Sequence, residues 1–232
     1  MRLFAYGMIL AACASGVATA QPRMHERGAC GIPAHIVAEL QSKLPQVVRM
    51  QNGGIFEPNM MWSAIVDREG RLCSVTKVGD AWPGSRQIAI AKASTANDFS
   101  NEKLALSTAN LYSAIQPGGS LYGLNESNPF NPAYLANGSG IGATPGGIIT
   151  FGGGVPLYVN GKVIGGLGLS GDSSCTDHTI AYRMRRDAGL DKIPGGVGFN
   201  KTDNIDYPAQ GQQPSGFQHP HCFPTDVPPN KI

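Results

Sequence analysis

This chain of 232 amino acids contains five histidines and five cysteines, whose side chains readily bind transition metals or, for cysteine, undergo redox chemistry. Imidazole is a common ligand of transition metals, and a thiol either binds a soft metal or forms a disulfide. The segment His219-Pro220-His221-Cys222 brings two imidazoles and one thiol together, which could form a zinc or copper clasp. A disulfide at Cys222 would remove its sulfur as a ligand and make the segment a structural clip of the C-terminal tail, the interpretation that we favour.

Four cysteines remain if an N-terminal leader is removed, namely Cys30, Cys73, Cys175 and Cys222. An even number of cysteines in an oxidising compartment favours two disulfides. Three pairings exist, and the sequence does not choose among them. Nucleophilic catalysis finds no support, because oxidised cysteines are unreactive and no pair of carboxylates has a spacing that suggests general acid and base chemistry.

The first 20 residues, MRLFAYGMILAACASGVATA, combine one basic residue, an apolar run and a small-residue ending, the pattern of a secretory signal peptide. We predict cleavage after Ala20 and export to the periplasm or the exterior. Leu10-Ala11-Ala12-Cys13 is also the spelling of a lipidated cysteine, although Cys13 lies close to the start for that role. No other apolar run approaches the roughly 20 residues that span a bilayer, so we predict no transmembrane segment.

The charge of the chain is close to balanced, with 18 Lys and Arg against 16 Asp and Glu. Surfaces that bind nucleic acids are strongly basic, and the one basic cluster here, at 183–186, is typical of the solvent-facing side of a helix. We therefore expect no nucleic-acid partner.

Residues 151–171, FGGGVPLYVNGKVIGGLGLSG, contain the spelling G-x-G-x-x-G that can mark a dinucleotide site. Such a site requires its glycine loop to follow the first strand of a parallel βαβ unit. Asn160-Gly161 is the dipeptide that most readily forms a two-residue hairpin turn, so the strands beside it are predicted to be antiparallel. This pattern argues against a dinucleotide site, and the sequence has neither a P-loop nor the G-x-S-x-G signature of serine hydrolases.

The periodicity of apolar residues predicts the order helix, hairpin, helix, three strands, helix. This order favours an α+β fold in which an antiparallel sheet is flanked by helices. We expect one domain over residues 21–192, with a long Gly- and Pro-rich insertion at 117–146, and a C-terminal extension over 193–232. Four helices are predicted: 32–50 with a break at Pro45, 84–99, 103–115, and one that runs from the capping box at 174–177 to Gly189. Two strands are predicted on either side of the turn at 68–71, and three more at 148–151, 155–159 and 162–169.

Three motifs in this order, IAIAKASTANDF, GGGVPLYVNGKVIGGLGLSGD and DHTIAYRMRRDAGL, together resemble the GlcG/HbpS family of haem-binding proteins. The resemblance covers about Met60 to Gly189. It implies a profilin-like α+β fold, an oligomeric state and haem as the cofactor, and similar domains are fused to corrinoid adenosyltransferases. The chain departs from short family members in its insertion at 117–146 and in its tail beyond Ile193.

Haem iron usually takes His, Met, Cys or Tyr as its axial ligand. His178, near the start of the last predicted helix, is our first candidate, with Asp177 orienting its ring; the alternative is a surface or capping histidine. His35 on the first predicted helix is the second candidate; the alternative is that it is a structural histidine that binds no ligand. Met60 and Met61 are interpreted as core residues.

Four further residues are candidates for contact with the cofactor. Lys92 and Thr95 match the helix motif of the family and could face the ligand, although a helix contact explains them equally well. Gly165 and Gly166 would thin the last strand on both faces and leave room for a flat ligand.

The function that we predict is haem sequestration, transport or sensing by an exported, non-catalytic homo-oligomer. One alternative is an enzyme that acts on haem or a small organic molecule, with the 117–146 insertion as a lid. The other alternative is a structural subunit without a cofactor.

Overall fold

The structure, a computed structural model, describes residues 28–232. The predicted leader, its cleavage after Ala20 and the alternative at Cys13 lie outside the described residues. The strands are β1 (Met61–Asp67), β2 (Leu72–Val78), β3 (Gly154–Val159) and β4 (Lys162–Ser170), and the helices are α1 (Ala34–Ser42), α2 (Leu44–Val47), α3 (Ser85–Asp98) and α4 (Ser174–Asp187). The strands form one antiparallel sheet in the order β2-β1-β4-β3, so the predicted α+β fold is confirmed.

Two tight turns set the antiparallel pairing in the sheet. Between β1 and β2, the carboxylate of Asp67 accepts the backbone N–H groups of Glu69 and Arg71 at 3.0 and 2.9 Å. Between β3 and β4, Asn160 and Gly161 both have positive φ, at 51° and 75°, as a two-residue hairpin turn requires. The predicted hairpin is confirmed, and the glycine-rich segment does not belong to a parallel βαβ unit.

The two faces of the sheet have different cores, because side chains alternate along each strand. One face packs against α1, α2 and α4 through a cluster whose strand residues include Met61, Ile65, Val155, Leu157, Leu167 and Leu169. The opposite face packs against α3 through Trp62, Ala64, Val66, Leu72, Ala89, Ile90 and Ala93.

The contact between α3 and β4 is made largely by backbone. A Cβ atom added to Gly166 would overlap the carbonyl oxygen of Ala93, and one added to Gly168 would overlap that of Ala89. Glycine at these two positions therefore allows the helix to lie directly on the strand. On β4 the side chains alternate, with glycine facing α3 and leucine facing the other core.

The predicted helix at 103–115 is wrong. The structure has only short 3-10 turns there, at Thr108–Leu111 and Ser113–Ile115. The side-chain oxygen of Asn101 accepts the backbone N–H groups of Lys103 and Leu104 at 2.8 and 3.0 Å. Such local side-chain bonds offer the backbone an alternative to the helix, and they explain why the apolar periodicity is not realised here.

The predicted strand at 148–151 is also wrong. The backbone N–H of Ile149 donates to Thr95 Oγ1 on α3 at 2.9 Å, so a helix side chain satisfies this group instead of a neighbouring strand. Two strands, not three, therefore lie between α3 and α4.

The insertion at 117–146 is attached to α3 and to the sheet. Arg86, which is buried on α3, donates to the carbonyl oxygen of Tyr134 at 2.9 Å and to that of Ser139. Phe130 packs against the cluster on the α3 face. The insertion contains 3-10 turns at Leu124–Glu126 and Pro132–Tyr134 and is otherwise irregular.

Residues 193–232, the C-terminal extension, lie along α4. Arg185 on α4 forms a fully buried, two-pronged ion pair with Asp203, and the guanidinium of Arg183 donates to the carbonyl oxygen of Lys231 at 3.1 Å. Helix α4 is consequently covered by the sheet on one side and by the extension on the other. Among residues 28–232, the structure has no helix with the length and apolar character that crossing a membrane requires.

Candidate functional site

Lys92 and Asp177 form a buried ion pair where α3, β4 and the start of α4 meet. Lys92 Nζ lies 2.7 Å from Asp177 Oδ2 and 3.1 Å from the carbonyl oxygen of Leu169, and it sits 4.9 Å from the ring centroid of Phe151. Burial raises the pKa of Asp177 and lowers that of Lys92, and their mutual attraction opposes both shifts. Because the two buried side chains are each other's charge partners, this pair holds α3 against the start of α4.

Thr95 is likewise buried and satisfied. Its hydroxyl donates to the carbonyl oxygen of Ala91 at 2.8 Å and accepts the N–H of Ile149 at 2.9 Å. In the folded chain, the threonine holds the segment before β3 against α3.

The surroundings of Gly165 and Gly166 are occupied by backbone. A Cβ at Gly165 would overlap the carbonyl oxygen of Val66 on β1, and the space beside Gly166 is filled by α3. These glycines therefore bring strand and helix backbones together in this structure, and the room predicted beside them for a flat ligand is filled by the protein itself.

His178 lies on α4 and is completely buried beneath the extension. Its Nε2 is 3.1 Å from Asn204 Oδ1 and 3.0 Å from the backbone nitrogen of Ile205. Burial lowers the pKa of His178 to about 3, against opposing contributions from Asp203 and Asn204, so the ring is neutral. A ligand could reach this ring only if residues 203–205 moved.

His219 in the extension is also buried and neutral. Its Nε2 accepts the N–H of Gly152 at 3.2 Å, and its Nδ1 lies 2.7 Å from the carbonyl oxygen of Pro220. Burial lowers the pKa of His219 to about 4. Both ring nitrogens are thus engaged with backbone groups.

Two disulfides join the four cysteines as Cys30–Cys73 and Cys175–Cys222. The expectation of two bridges is confirmed, and the structure chooses one of the three pairings that the sequence left open. Because the sulfur of Cys222 is bonded to Cys175, the zinc or copper clasp through this thiol is not formed. The bridge fastens the extension to the first turn of α4, as a structural clip would.

His35 lies on the exposed side of α1. Within the described residues, its ring has no hydrogen-bond partner. Elsewhere on α1, a groove of about 640 Å³ lies between the helix and the start of β2, and its largely apolar walls include Ile32, Pro33, Ala34, Val37, Ala38 and the Cys30–Cys73 bridge. His35 does not line this groove, although its helix neighbours Ala34 and Ala38 do. Of the two predicted axial ligands, His35 is therefore the one that a ligand can reach without any rearrangement.

Sequence reasoning missed the residues that bury His178. Asn204 and Ile205 lie well beyond the end of α4 and belong to no motif, so no local signal pairs them with the helix. It also missed Gln41, whose Oε1 is buried at the edge of the groove without a hydrogen-bond partner in the described chain. The sequence did contain one indication of the groove. Ala34 and Ala38, which are one turn apart on α1, place small apolar side chains on an exposed face of the helix.

A family model described as "Haem degrading protein HbpS-like" matches residues 58–185, more than half of the chain. The extension begins after this match ends.

Two curated proteins of Citrobacter freundii are similar over half of this chain. An uncharacterized 15.0 kDa protein of the dhaT-dhaS intergenic region is 34% identical over 118 residues, covering 51% of this chain and 68% of that protein. The corrinoid adenosyltransferase PduO is 38% identical over 120 residues, covering 51% of this chain and 29% of that protein. The similarity to PduO thus concerns less than a third of its length.

Among solved structures, a PduOC:heme complex matches with a TM-score of 0.50 and 27% sequence identity, covering 67% of this chain and 93% of that one. A double mutant of Streptomyces reticuli HbpS matches with a TM-score of 0.47 and 16% identity, over 79% of this chain and 98% of that one.

Proposed function

The chain belongs to the HbpS-like family, and from this premise we propose that it is an exported, non-catalytic haem-binding protein that sequesters, carries or senses haem. The observation that carries the proposal is the similarity to a structure solved as a complex with haem, at 27% identity over 67% of this chain. Family membership alone does not define a ligand site, so the residues of this chain must supply one.

We place the haem at the groove beside α1, with His35 as the axial ligand. Two features support this placement: the groove offers apolar walls to a porphyrin face, and the exposed imidazole of His35, which suits iron, lies on the same helix beside the lining residues Ala34 and Ala38. A volume of about 640 Å³ lies within the range of small-molecule sites. When bound, haem would supply the redox and spectroscopic properties, while the chain holds it and limits access of water to one side.

His178 remains the second candidate for the axial ligand. Ligation there would break its bonds to Asn204 and Ile205 and displace the segment that contains the buried Asp203. Breaking one partner of a buried ion pair costs about 3–5 kcal/mol. That cost favours His35.

Titration of the full chain with hemin tests the ligand and its position. We expect a Soret shift that saturates at one equivalent, and an affinity at least about tenfold lower in His35→Ala, because the imidazole–iron bond is lost. His221→Ala removes an exposed histidine from a distant part of the chain and serves as the matched control. No Soret shift in the unmodified chain would contradict haem binding and favour the structural-subunit alternative, whereas loss of the shift only in a folded His178→Gln variant would move the ligand to α4.

A second candidate function is haem degradation, which the description of the matching family model favours. It predicts that bound haem loses its Soret absorbance with time when a reductant and oxygen are supplied, and that the protein turns over more than one equivalent. Stable haem absorbance under the same conditions supports the non-catalytic function. In this alternative the insertion at 117–146 would act as a lid, and its bonds to Arg86 would have to open.

We also propose that the chain is exported and assembles as a homo-oligomer. Two disulfides within the described residues suit an oxidising compartment. Mass spectrometry of the protein from the producing cell should find Gln21 at the N-terminus, whereas a lipidated Cys13 would contradict the predicted cleavage. Sedimentation with and without hemin would establish the number of subunits.

A further inference from the structure

The Cys175–Cys222 disulfide joins the first turn of α4 to the C-terminal extension. Cys175 is the second residue of this helix, and Ser173 is the N-cap. The first N–H groups of a helix have no partner within the helix, and the helix dipole favours negative charge beside them. Thiolates at such positions are stabilised, so the place of the bridge favours the reduced, anionic state of its sulfurs.

The sulfur of Cys222 is bound by two donors at the start of α4. The backbone N–H of Cys175 donates to it at 3.2 Å, and Ser174 Oγ lies 3.3 Å from it. A disulfide sulfur carries no hydrogen, so the hydroxyl of Ser174 is the donor in this contact. Hydrogen bonds to charged groups are stronger than those to neutral ones. Both donors therefore stabilise a Cys222 thiolate more than they stabilise the disulfide.

The sulfur of Cys175 has an imidazole beside it. His219 Nδ1 lies 2.7 Å from the carbonyl oxygen of Pro220, which only accepts, so Nδ1 carries the hydrogen. The same nitrogen is 3.9 Å from Cys175 Sγ. A Cys175 thiolate would thus face an N–H group, and a Cys175 thiol could donate to the carbonyl oxygen of Pro220 at 3.6 Å. Either form of the reduced residue finds a partner in place.

The two halves of the bridge differ in exposure. Cys175 is 1% exposed, whereas Cys222 is half-buried and borders an open groove of about 580 Å³ together with Pro220 and His221. A reductant can therefore approach the bridge from the Cys222 side.

The Cys30–Cys73 bridge has a less favourable environment for a thiolate. One carboxylate oxygen of Asp67, which is 1% exposed, lies within 4.8 Å of both sulfurs. A negative charge at this distance disfavours a second one, and Arg71 offsets it only in part, from 3.9 Å and a third exposed. Cys30 Sγ accepts one backbone N–H, that of Ile32 at 3.3 Å. The two bridges should consequently differ in how easily they are reduced.

We propose that Cys175–Cys222 is a redox-responsive clip, which a dithiol reduces before Cys30–Cys73 and whose reduction loosens the extension. A thiolate of the dithiol attacks Cys222 Sγ, forms a mixed disulfide with it and releases Cys175 as the first thiolate. The second thiol of the dithiol, as its thiolate, then attacks its partner sulfur in the mixed disulfide and releases Cys222. Two electrons and two protons pass to the protein in total, and the dithiol becomes a disulfide.

The extension depends on this clip because little apolar surface supports the junction. The cluster beneath it has only Ala109, Cys175 and Ile205 as its buried members among the described residues, with Cys222 packed against them. Once the covalent link is lost, the bond from the N–H of Gly152 to His219 should open more often. The inference does not rest on the proposed haem function, since neither Cys175 nor Cys222 borders the groove beside α1.

A redox titration of the full, oxidised chain tests the clip. The protein is equilibrated anaerobically with mixtures of reduced and oxidised dithiothreitol, quenched with acid and alkylated, and the four cysteines are followed separately by peptide mass spectrometry. We expect an equilibrium constant for reduction of Cys175–Cys222 that is at least about tenfold larger than that of Cys30–Cys73, a difference of about 30 mV. Equal constants, or earlier reduction of Cys30–Cys73, would overturn the proposal.

Two further measurements separate the clip from a general loss of structure. Ser174→Ala removes one donor to Cys222 Sγ and should lower the constant of this bridge at least about twofold, while the Cys30–Cys73 bridge serves as the internal control and keeps its constant. In the protein reduced only at Cys175–Cys222, the amide of Gly152 should exchange at least about tenfold faster, and β1 and β4 should stay protected. An unchanged constant in Ser174→Ala, or unchanged exchange at Gly152, would contradict the proposed clip.

Discussion

Helix α3 and the C-terminal extension are both packed against the domain, but they are attached in different ways. Helix α3 lies on β4 through backbone contacts that require Gly166 and Gly168. The extension is attached to α4 through a disulfide, the ion pair of Asp203 and hydrogen bonds to a neutral histidine. The first contact is limited by space, whereas the second depends on the charge and oxidation state of side chains.

Adding volume between α3 and β4 should have the largest effect. In Gly168→Val, the new side chain would overlap the carbonyl oxygen of Ala89. We therefore expect the free energy of unfolding to fall by more than about 4 kcal/mol, or the protein not to fold. Gly84→Ala is the matched control, because Gly84 has negative φ and no atom within contact distance of its added Cβ, and it should cost less than about 1 kcal/mol. Urea denaturation measures both. A folded Gly168→Val protein with unchanged stability would contradict the close backbone packing.

Removing one charge from the buried pair should have the next largest effect. Lys92→Met leaves Asp177 without its partner, and we expect a cost of about 3–5 kcal/mol. The double variant Lys92→Met/Asp177→Asn removes both charges and should recover at least half of that loss. Equal denaturation midpoints for the single variant and the unmodified chain would show that the pair does not tie the helices together.

Acid should weaken the junction of the extension in a graded way. His178 and His219 have pKa values lowered to about 3 and about 4, below the ordinary value near 6.5 of the unfolded chain. The unfolded state therefore binds more protons in this window, and the stability that these rings contribute is present above pH 6.5 and is lost as the pH falls to about 4 for His219 and to about 3 for His178. The expected loss is at most about 1.4 kcal/mol per pH unit for each histidine.

Hydrogen exchange can detect this loss locally. The amides of Ile205 and Gly152, which contact the two rings, should lose protection between pH 6.5 and 4.5, while those of β1 and β4 stay protected. Burial raises the pKa of Asp177 to about 6, so protonation of this carboxyl stabilises the fold as the pH falls and opposes the effect of the two histidines on global stability. Local hydrogen exchange therefore reports on the histidines more directly than a global denaturation curve does. Equal loss of protection in the sheet and the extension would contradict the distinction between the two regions.

The parts of the fold that were predictable are those encoded by neighbouring residues. Asn160-Gly161 determines the β3–β4 turn, and the alternation of glycine and leucine along β4 follows from the period of a strand. The segments at 103–115 and 148–151 could not be predicted, because Asn101 and Thr95 satisfy their backbone groups through side chains. The burial of His178 was equally hidden, since it depends on residues 203–205, which lie outside every motif. Pairing of the cysteines likewise required the tertiary structure.

The most direct test of the account is hydrogen exchange of the full chain with and without one equivalent of hemin. If haem binds beside His35, protection should increase over α1 and around residues 73–74, and the amide of Ile205 should be unchanged. Increased exchange at residues 203–205, with no change over α1, would contradict the account and show that haem displaces the extension to reach His178.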